Sequence, residues 1–427
     1  MRDDTQSPMV PLQNWSGNLH YSTNKIYYPE TVSELQQMVE SSPHLRALGT
    51  RHCFNEIADS DQLFISSAKL HRIIELNTVN QTVTVEGGIK YGELSPYLDQ
   101  KGYGLHNLAS LPHISVAGSI STATHGSGAS NGNLATAVRA LEIVTADGTV
   151  LHLSKEKDRE VFDGAVVGLG AMGIISCVTL AIEPSYQMQQ WVYTDIPIAQ
   201  LKDHFFQIMT AGYSVSLFTN WEKESINEVW IKGRTDPENP FVPPKEFYGA
   251  LPATRELHPI FSLSPENCTA QLGRPGAWYD RLPHFKMGFT PSSGKELQSE
   301  YFIPQQHAVE AILAVARLGN KIGPLLLISE IRTIAADTLW MSPCRNQESV
   351  AIHFTWKPQW DAVKKLLPLI EKELAPFGAR PHWGKLFTLL PAILKSSYEK
   401  LDDFKKLAGL YDPKGKFRND FLKRYLY

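Results

Sequence analysis

The chain has 427 residues, of which 43% are hydrophobic and 20% charged, and its formal net charge is −3. This length supports two or three domains with a sizeable core. The weak net charge and the lack of a long basic block make nucleic acid an unexpected partner. The four cysteines form no CxxC pair, which indicates a reduced compartment with no disulfide framework, and no metal site is predicted.

Two segments bear on targeting and membranes. The N-terminus, Met1-Arg2-Asp3-Asp4, is polar and lacks an apolar core, so no signal peptide is predicted. Residues 164–182 carry no charge and approach the length of a membrane helix. Glycines interrupt them and acidic residues flank them, which favours a loop that enters a buried strand. We therefore expect a cytoplasmic protein with no membrane segment.

The first 185 residues predict one helix followed by mostly strands. Thr31 and Glu34 match a capping box, which places a helix at about 31–41. Periodicity and turn residues then predict strands at 45–48 and 62–66, a hairpin of 72–76 and 82–86, a helix at 91–101, a hairpin of 141–146 and 149–153, a helix from Ser154 towards Val167, and a buried strand at 174–182.

The character of the chain changes near Glu183-Pro184. The predicted elements beyond this point are strands near 190–195, 214–220 and 228–232 around a helix at 198–211, a surface loop at 236–240, an irregular region at 250–298, a helix at 304–318, strands at 325–334 and 349–357, a helix at 360–373 and a helical tail from about 390. This order indicates an α+β protein of two layers, with a boundary near 185 and a chain end that returns to the first domain.

The stretch Gly49-Thr50-Arg51-His52-Cys53-Phe54-Asn55 follows the short strand at 45–48. A glycine turn after a strand lets backbone N–H groups approach phosphate oxygens closely. Arg51 can add positive charge there, and the His52 ring is a nucleophile that could face a bound cofactor. Taken alone, the same pattern also fits ordinary loop chemistry.

A second stretch, Ser110 to Gly128, is rich in hydroxyls and small side chains. Such a surface can lie flat against a large ligand and donate hydrogen bonds to it. The alternative is a close-packed crossing of two backbones. Together with the His52 turn, the stretch predicts two backbone walls of one long cofactor slot.

Residues Gly168 to Gly173 match the pattern GxGxxG, but we reject a dinucleotide fingerprint. That motif must open a helix and be followed by an acidic residue about 20 positions on. Here the following residues favour a strand, and Glu183 comes too soon. A glycine loop at the mouth of the slot and plain turn geometry both stay open.

Two strands carry polar side chains at alternate positions. Glu330 and Arg332 share one face of their strand, and His353 and Thr355 share one face of theirs. If the strands are neighbours, the four residues form one polar patch suited to a hydroxyl-rich substrate. A structural ion pair would also explain Glu330 and Arg332. Lys385 is a further candidate, although a lone lysine in a loop is usually a solvated charge.

With these motifs in view, the chain resembles the vanillyl-alcohol-oxidase-type flavoprotein superfamily. Within it, the alditol (xylitol) oxidases are most similar and the sugar-lactone oxidases less so. The resemblance covers nearly the whole chain. It is carried by GTRHCFN at 49–55, SLPHISVAGSISTATHGSG at 110–128, SEIRT at 329–333, HFTW at 353–356 and HWGK at 382–385.

The resemblance implies a two-domain FAD-binding (PCMH-type) fold. Residues 1–185, completed by 376–427, would bind FAD, and residues 186–375 would form a cap with an antiparallel sheet flanked by helices. It also implies a covalent bond from His52 to the flavin 8-methyl carbon, beside Cys53 where most relatives carry Ser. The cofactor-binding residues that it implies are Ala47, Leu48, Gly49, Thr50, Arg51, His52, Cys53, Ser110, Ser115, Gly118, Thr122, Ala123, Thr124, His125, Ile174 and His382.

The implied reaction is hydride transfer from the terminal CH2OH of a polyol such as xylitol or sorbitol to flavin N5. Reduced flavin would then reduce O2 to hydrogen peroxide. Arg332 and Lys385 would stabilise the developing alkoxide at the reacting hydroxyl, and His353 would shape the pocket or assist proton movement. The other hydroxyls would bind Glu330, Thr355 and Ser110. A sugar-lactone oxidase or dehydrogenase, or a non-catalytic flavin- or sugar-binding protein, are the alternatives. A monomer is expected.

Overall fold

The computed structural model describes residues 11–235, 241–288 and 295–427. The predicted surface loop at 236–240 and the polar start of the chain at Met1–Asp4 lie outside the described residues, as does part of the predicted irregular region. The rest contains helices and mainly antiparallel sheets, which confirms the predicted α+β class.

A small parallel sheet precedes the His52 turn. Its strands in spatial order are β1 (Ile26–Tyr27), β3 (Phe64–Ser66) and β2 (Arg46–Leu48). The predicted first helix is α1 (Val32–Ser41), and the Thr31 hydroxyl accepts a hydrogen bond from the Glu34 N–H (3.2 Å), as an N-cap should. The chain leaves β2 directly into the Gly49 turn.

The second sheet has five antiparallel strands. In spatial order they are β4 (Ile73–Asn77), β5 (Thr82–Glu86), β9 (Ile174–Ala181), β7 (Val138–Val144) and β8 (Val150–Ser154). Both predicted hairpins are present, and the residues after the glycine-rich stretch form the buried strand β9. The helices of this half are α2 (Tyr91–Gln100), α3 (Val116–Ser121) and α4 (Lys155–Val166).

Residues 164–182 are divided between the end of α4, a glycine turn and β9. Within the part of the chain that the structure describes, none of the helices has the length and apolar character needed to cross a membrane.

The third sheet is the largest, with nine strands. In spatial order, the main path of this sheet is β14 (Leu251–Pro252), β11 (Gln187–Pro197), β13 (Ser225–Arg234), β12 (Ser214–Thr219), β17 (Leu326–Ile334), β18 (Ser349–Trp356), β16 (Leu297–Pro304) and β19 (Arg380–Pro381), and β15 (Gly276–Ala277) also pairs with β11. A separate two-stranded sheet pairs β6 (Tyr103–Gly104) with β10 (Glu183–Pro184).

The large sheet has one apolar face and one polar face. Helices α5 (Gln200–Met209), α6 (Ala308–Ala316), α7 (Gly319–Ile322) and α8 (Trp360–Leu374) complete this part of the chain. Alternate residues of β17 and β18, among them Ile331 and Ile352, pack with α5, α6 and α8 in one core. Because side chains alternate along a strand, Glu330, Arg332 and His353 face the other way.

Strand β16 was not predicted. The irregular region was expected to continue to 298 and a helix to begin at 304, whereas β16 spans Leu297–Pro304 and α6 begins at Ala308. The strand lies between β18 and β19 and is largely buried. Alternate side chains of β16, Gln298 and Glu300 among them, therefore belong to the polar face that the sequence analysis assigned to two strands only.

The end of the chain packs against its beginning. The last helices are α9 (Pro391–Ser396), α10 (Leu401–Tyr411) and α11 (Asp420–Tyr425), and side chains from them join the core beneath the five-stranded sheet. Leu45 N–H donates to Lys416 O (3.0 Å), and the Asn419 amide lies 2.9–3.1 Å from the carbonyls of Glu56, Ile57 and Asp59. The division of the chain at 185 and 376 into two domains stays a prediction.

Asn419→Ala should lower the free energy of unfolding by about 1–3 kcal/mol, because buried carbonyls lose their donor. The same change removes the side-chain oxygen that accepts from Leu422 N–H at the start of α11 (3.0 Å). Urea denaturation of the purified protein measures the change. The exposed Asn80→Ala is the control, expected to shift stability by less than about 0.5 kcal/mol. Equal effects of the two variants would contradict this account of how the chain end is held.

Candidate active site

A single large cavity joins the motifs that the sequence analysis singled out. It runs from the Gly49 turn, past the small-residue stretch, to the polar face of the large sheet. The residues predicted for the site that line it are Ala47, Leu48, Gly49, Thr50, Arg51, His52, Cys53, Ser110, Gly118, Thr122, Thr124, His125, Ile174, Glu330, Arg332, His353, Thr355, His382 and Lys385. Ser115 and Ala123 lie behind this wall.

The first wall holds the His52 ring firmly. Its Nδ1 lies 2.9 Å from the Thr50 hydroxyl, and the ring stacks on Trp15 with centroids 5.3 Å apart. Desolvation lowers the pKa of His52 to about 4, and the neighbouring His113 adds to the effect. The imidazole is therefore neutral at pH 7, which is the nucleophilic form.

The two walls meet at glycines, Gly49 in the first wall and Gly118 in the second. A Cβ atom on Gly118 would lie 2.9 Å from the Ser115 hydroxyl oxygen, and one on Gly49 would lie 3.3 Å from it. Ser115 Oγ is buried and has no hydrogen-bond partner among the described residues. Buried hydroxyls are normally paired, but this oxygen lies behind the cavity wall, between the two glycines. The short helix α3 that begins here was not predicted.

The glycine-rich stretch from Gly168 to Gly173 both forms a turn that requires glycine and lines the cavity. Gly173 has φ +147°, and a Cβ atom there would meet Val144 O at 2.2 Å, so its turn into β9 requires glycine. Gly168, Gly170 and Gly173 also line the cavity. The buried Arg46 guanidinium fastens this stretch by donating to Gly170 O (2.8 Å), Leu169 O (3.0 Å) and Phe417 O (2.6 Å).

The polar patch lies where the register of the large sheet brings three strands together. His353 on β18 is directly opposite Glu330 on β17 and Glu300 on β16. Arg332 follows two residues after Glu330 on the same face, and its Nη1 lies 3.5 Å from Ser110 Oγ. The predicted neighbourhood of Glu330, Arg332, His353 and Thr355 is therefore present, and the second wall reaches it through Ser110.

Glu300 is the centre of this patch. Its Oε1 accepts from Arg332 Nη2 (2.7 Å) and its Oε2 from Lys385 Nζ (2.7 Å), and His125 Nε2 lies 3.2 Å from Oε1. Its side chain is fully buried, and those of Arg332 and Lys385 are 5% and 15% exposed. One carboxylate thus holds two cations that reach it from different parts of the chain.

Burial and neighbouring charges together set the pKa values of the titratable groups in the patch. Burial would raise the pKa of Glu300, but Lys385, His125 and Arg332 together hold it well below its usual range. Burial lowers the pKa of Lys385, and Glu300 partly opposes this. Burial and then Lys385 lower the pKa of His353, so its ring is neutral, and its buried Nε2 has no hydrogen-bond partner among the described residues.

The loop 382–385 reaches the patch because the His52 turn binds it. Asn55 Nδ2 donates to the carbonyls of Trp383 (2.8 Å) and Lys385 (2.7 Å), and Phe54 N–H donates to Gly384 O (2.8 Å). On the other side, His382 N–H donates to Glu300 O (3.0 Å). The turn that carries His52 therefore also positions Lys385.

Several cavity residues were missed by the sequence analysis, among them Glu300, Gln298 and His284. Glu300 and Gln298 lie on β16, where polar residues alternate with Leu297, Ser299 and Tyr301, and this alternation was a usable signal. His284 Nε2 lies 2.8 Å from Glu330 Oε1, but His284 comes from a segment with no periodicity. No local pattern could have identified His284.

The cavity fits the FAD that the motifs imply. The backbone at Gly49 and Gly118, which carries no side chains, and the Arg46 cation among the lining residues suit an elongated anionic ligand. Ala47 to Cys53 and the residues from Gly118 to His125 would hold it, with the polar patch next to its reactive end.

Comparisons with known proteins agree with the geometry. Residues 24–154 match the family model described as an FAD binding domain, and residues 290–425 match D-arabinono-1,4-lactone oxidase. Alditol oxidase from Streptomyces sp. is 44% identical over 97% of this chain and 99% of its own length. L-gulonolactone oxidase from Mus musculus is 26% identical over 98% of both chains.

The fold has solved counterparts. The crystal structure of cholesterol oxidase from B. sterolicum superposes with a TM-score of 0.79 at 14% identity, covering 98% of this chain and 96% of that one. At that identity the likeness concerns the fold alone, and it confirms the predicted two-part FAD-binding architecture. The identity and coverage shared with the Streptomyces protein decide the family: this chain belongs to the alditol oxidase family of FAD-dependent oxidoreductases.

Proposed function

We propose that the protein oxidises the terminal primary alcohol of alditols such as xylitol and sorbitol to the aldose. One alditol and one O2 become one aldose and one hydrogen peroxide, so two protons and two electrons pass from the CH–OH group to oxygen. The observation that carries the proposal is the buried patch around Glu300, which adjoins a cavity suited to FAD. The 44% identity to an alditol oxidase supports it.

Bound FAD would supply the redox chemistry, taking hydride from the alcohol carbon and passing the electron pair to O2. Arg332 and Lys385 would bind the reacting hydroxyl and stabilise the negative charge that develops on its oxygen. Their shared bond to Glu300 holds both cations in place before substrate arrives. The neutral His353, on the strand adjacent to that of Arg332, would shape the pocket or accept the hydroxyl proton.

The remaining hydroxyls of the alditol would bind the patch around this centre. Glu330 is an ionised acceptor, because Arg332 and His284 more than offset the effect of burial on its pKa. Thr355 and Ser110 can each donate and accept. A site of buried hydrogen-bonding groups rejects molecules that lack the matching hydroxyls, by up to about 10⁴-fold.

A sugar-lactone oxidase or dehydrogenase is the second candidate. The match of residues 290–425 to D-arabinono-1,4-lactone oxidase favours it, and that segment carries Glu300, Glu330, Arg332 and Lys385. The lactone-oxidising relatives are more distant, at 26% identity for the mouse protein, which favours the alditol.

We also propose a covalent bond between His52 and the flavin, a monomer, and a cytoplasmic location. The neutral, stacked His52 ring in the cavity wall supports the first. The four free cysteines fit a reducing compartment.

A panel of substrates with peroxide detection tests the reaction. Xylitol and sorbitol should give peroxide, and an aldonolactone should give at least tenfold less at equal concentration. Activity confined to the lactone would replace the proposal by the second candidate.

Lys385→Met should lower kcat/KM for xylitol by about 10²–10³-fold through loss of charge stabilisation, whereas the exposed Lys365→Met should leave it unchanged.

His52→Ala should abolish covalent attachment. Native protein precipitated with acid and washed should stay yellow, and the variant should lose its colour. Cys53→Ala, which changes the adjacent side chain and keeps the imidazole, is the control and should stay yellow. A colourless native precipitate would remove the covalent bond from the proposal, while leaving the substrate assay to decide the reaction.

Glu300→Gln should destabilise the folded protein by about 3–5 kcal/mol, because two buried cations lose their shared carboxylate. Urea denaturation measures this. Adding Lys385→Met to Glu300→Gln removes one of the uncompensated charges and should restore part of the loss. A double variant less stable than the sum of the two single changes would contradict the assignment of Glu300 as the common counter-ion.

A further inference from the structure

A buried lysine behind the substrate patch has no role in the proposed reaction. Lys232 lies on β13, and only 1% of its surface is exposed. Its Nζ lies 2.6 Å from Leu282 O, 3.1 Å from Pro283 O and 3.1 Å from His284 Nδ1. The other nitrogen of that ring, Nε2, lies 2.8 Å from Glu330 Oε1. A continuous chain of hydrogen bonds therefore joins Lys232 to the patch.

The donors and acceptors of this chain fix where its protons lie. Glu330 is ionised and can only accept, so His284 Nε2 must carry the hydrogen. Burial and then Lys232 lower the pKa of His284 to about 4, so the ring is neutral and its Nδ1 must accept. An ammonium group has three N–H donors, and Lys232 meets three acceptors.

The alternative arrangement is unfavourable. With the hydrogen on Nδ1, an Nε2 lone pair would face the Glu330 carboxylate at 2.8 Å, and both atoms would be acceptors. The ring cannot turn away easily, because Phe218 and Trp230 pack against it edge to face with centroids 5.5 and 5.2 Å distant. Glu330 at Nε2 and Lys232 at Nδ1 therefore favour the same tautomer from opposite sides of the ring.

We propose that Lys232 is a positioning residue that fixes His284 in its Nε2–H tautomer and thereby holds Glu330 as an oriented, acceptor-only group for a substrate hydroxyl. The proposal rests on the proposed function for the identity of the substrate. The tautomer itself does not depend on it. Burial lowers the pKa of Lys232 to about 7, and the nearby Glu330 opposes this effect. The three acceptors around Nζ favour the ammonium form, which is the form that requires Nδ1 to accept.

The tautomer can be measured without substrate. In FAD-loaded protein labelled with ¹⁵N-histidine, the nitrogen shifts of His284, assigned with His284→Gln, should report hydrogen on Nε2. Lys232→Met should shift the population towards Nδ1–H, and Lys232→Gln, which reaches as far as methionine and keeps an amide donor, should restore it at least in part. Native protein with the hydrogen on Nδ1 would overturn the proposal.

Kinetics with xylitol provide the second test. Lys232→Met should raise KM at least tenfold with a smaller effect on kcat, since hydrogen bonds to a charged group are worth that much. In His284→Gln the amide can donate to Glu330 with no tautomer to select, so adding Lys232→Met there should change KM less than twofold. Equal effects of Lys232→Met in both backgrounds would show a structural role and overturn the proposal.

The two measurements separate the possible failures. If native protein oxidises no alditol, the proposed function fails, and the tautomer still decides the role of Lys232. If Lys232→Met does not fold, the native tautomer and Lys232→Gln decide it. A native Nε2–H tautomer that Lys232→Gln retains supports the proposal, and an Nδ1–H tautomer in either protein contradicts it.

Discussion

The carboxylate of Glu300 is the interaction on which the site depends. A buried carboxylate is costly unless it is paired and hydrogen-bonded. Glu300 meets this demand by accepting from Arg332 on a neighbouring strand and from Lys385 in a distant loop. Its main-chain oxygen also accepts from His382. The same residue therefore joins the large sheet, the loop 382–385 and, through His125, the small-residue wall.

Hydrogen bonds from side chains to backbone carbonyls link this patch to the other end of the cavity. Asn55 binds the loop 382–385, and Arg46 binds the glycine-rich stretch and the chain end. Both residues flank the turn that holds His52. A change in the position of that turn would move Lys385 as well, so the two ends of the cavity are mechanically linked although they are built from opposite ends of the sequence.

Periodicity accounts for what could be predicted. Glu330 with Arg332, and His353 with Thr355, could be placed on one face because strand side chains alternate, and both hairpins followed from their turn residues. Glu300 was missed because β16 follows a segment with no periodic signal, although its own alternation was present. His284 could not be found, because only the fold brings residue 284 to within 2.8 Å of residue 330. Ser115 was predicted as a cofactor-binding residue of the second wall, whereas its position behind that wall depends on the unpredicted helix α3.

The balance of charge argues for an uncharged, hydroxyl-rich substrate. The patch holds two carboxylates, Glu300 and Glu330, against two cations, Arg332 and Lys385, so it is neutral before anything binds. An acidic or basic substrate would disturb this balance among buried charges. A polyol adds no charge. In the proposed reaction, Arg332 and Lys385 would already be held in place by Glu300 when the hydroxyl begins to lose its proton, so that no reorganisation would be needed at that moment.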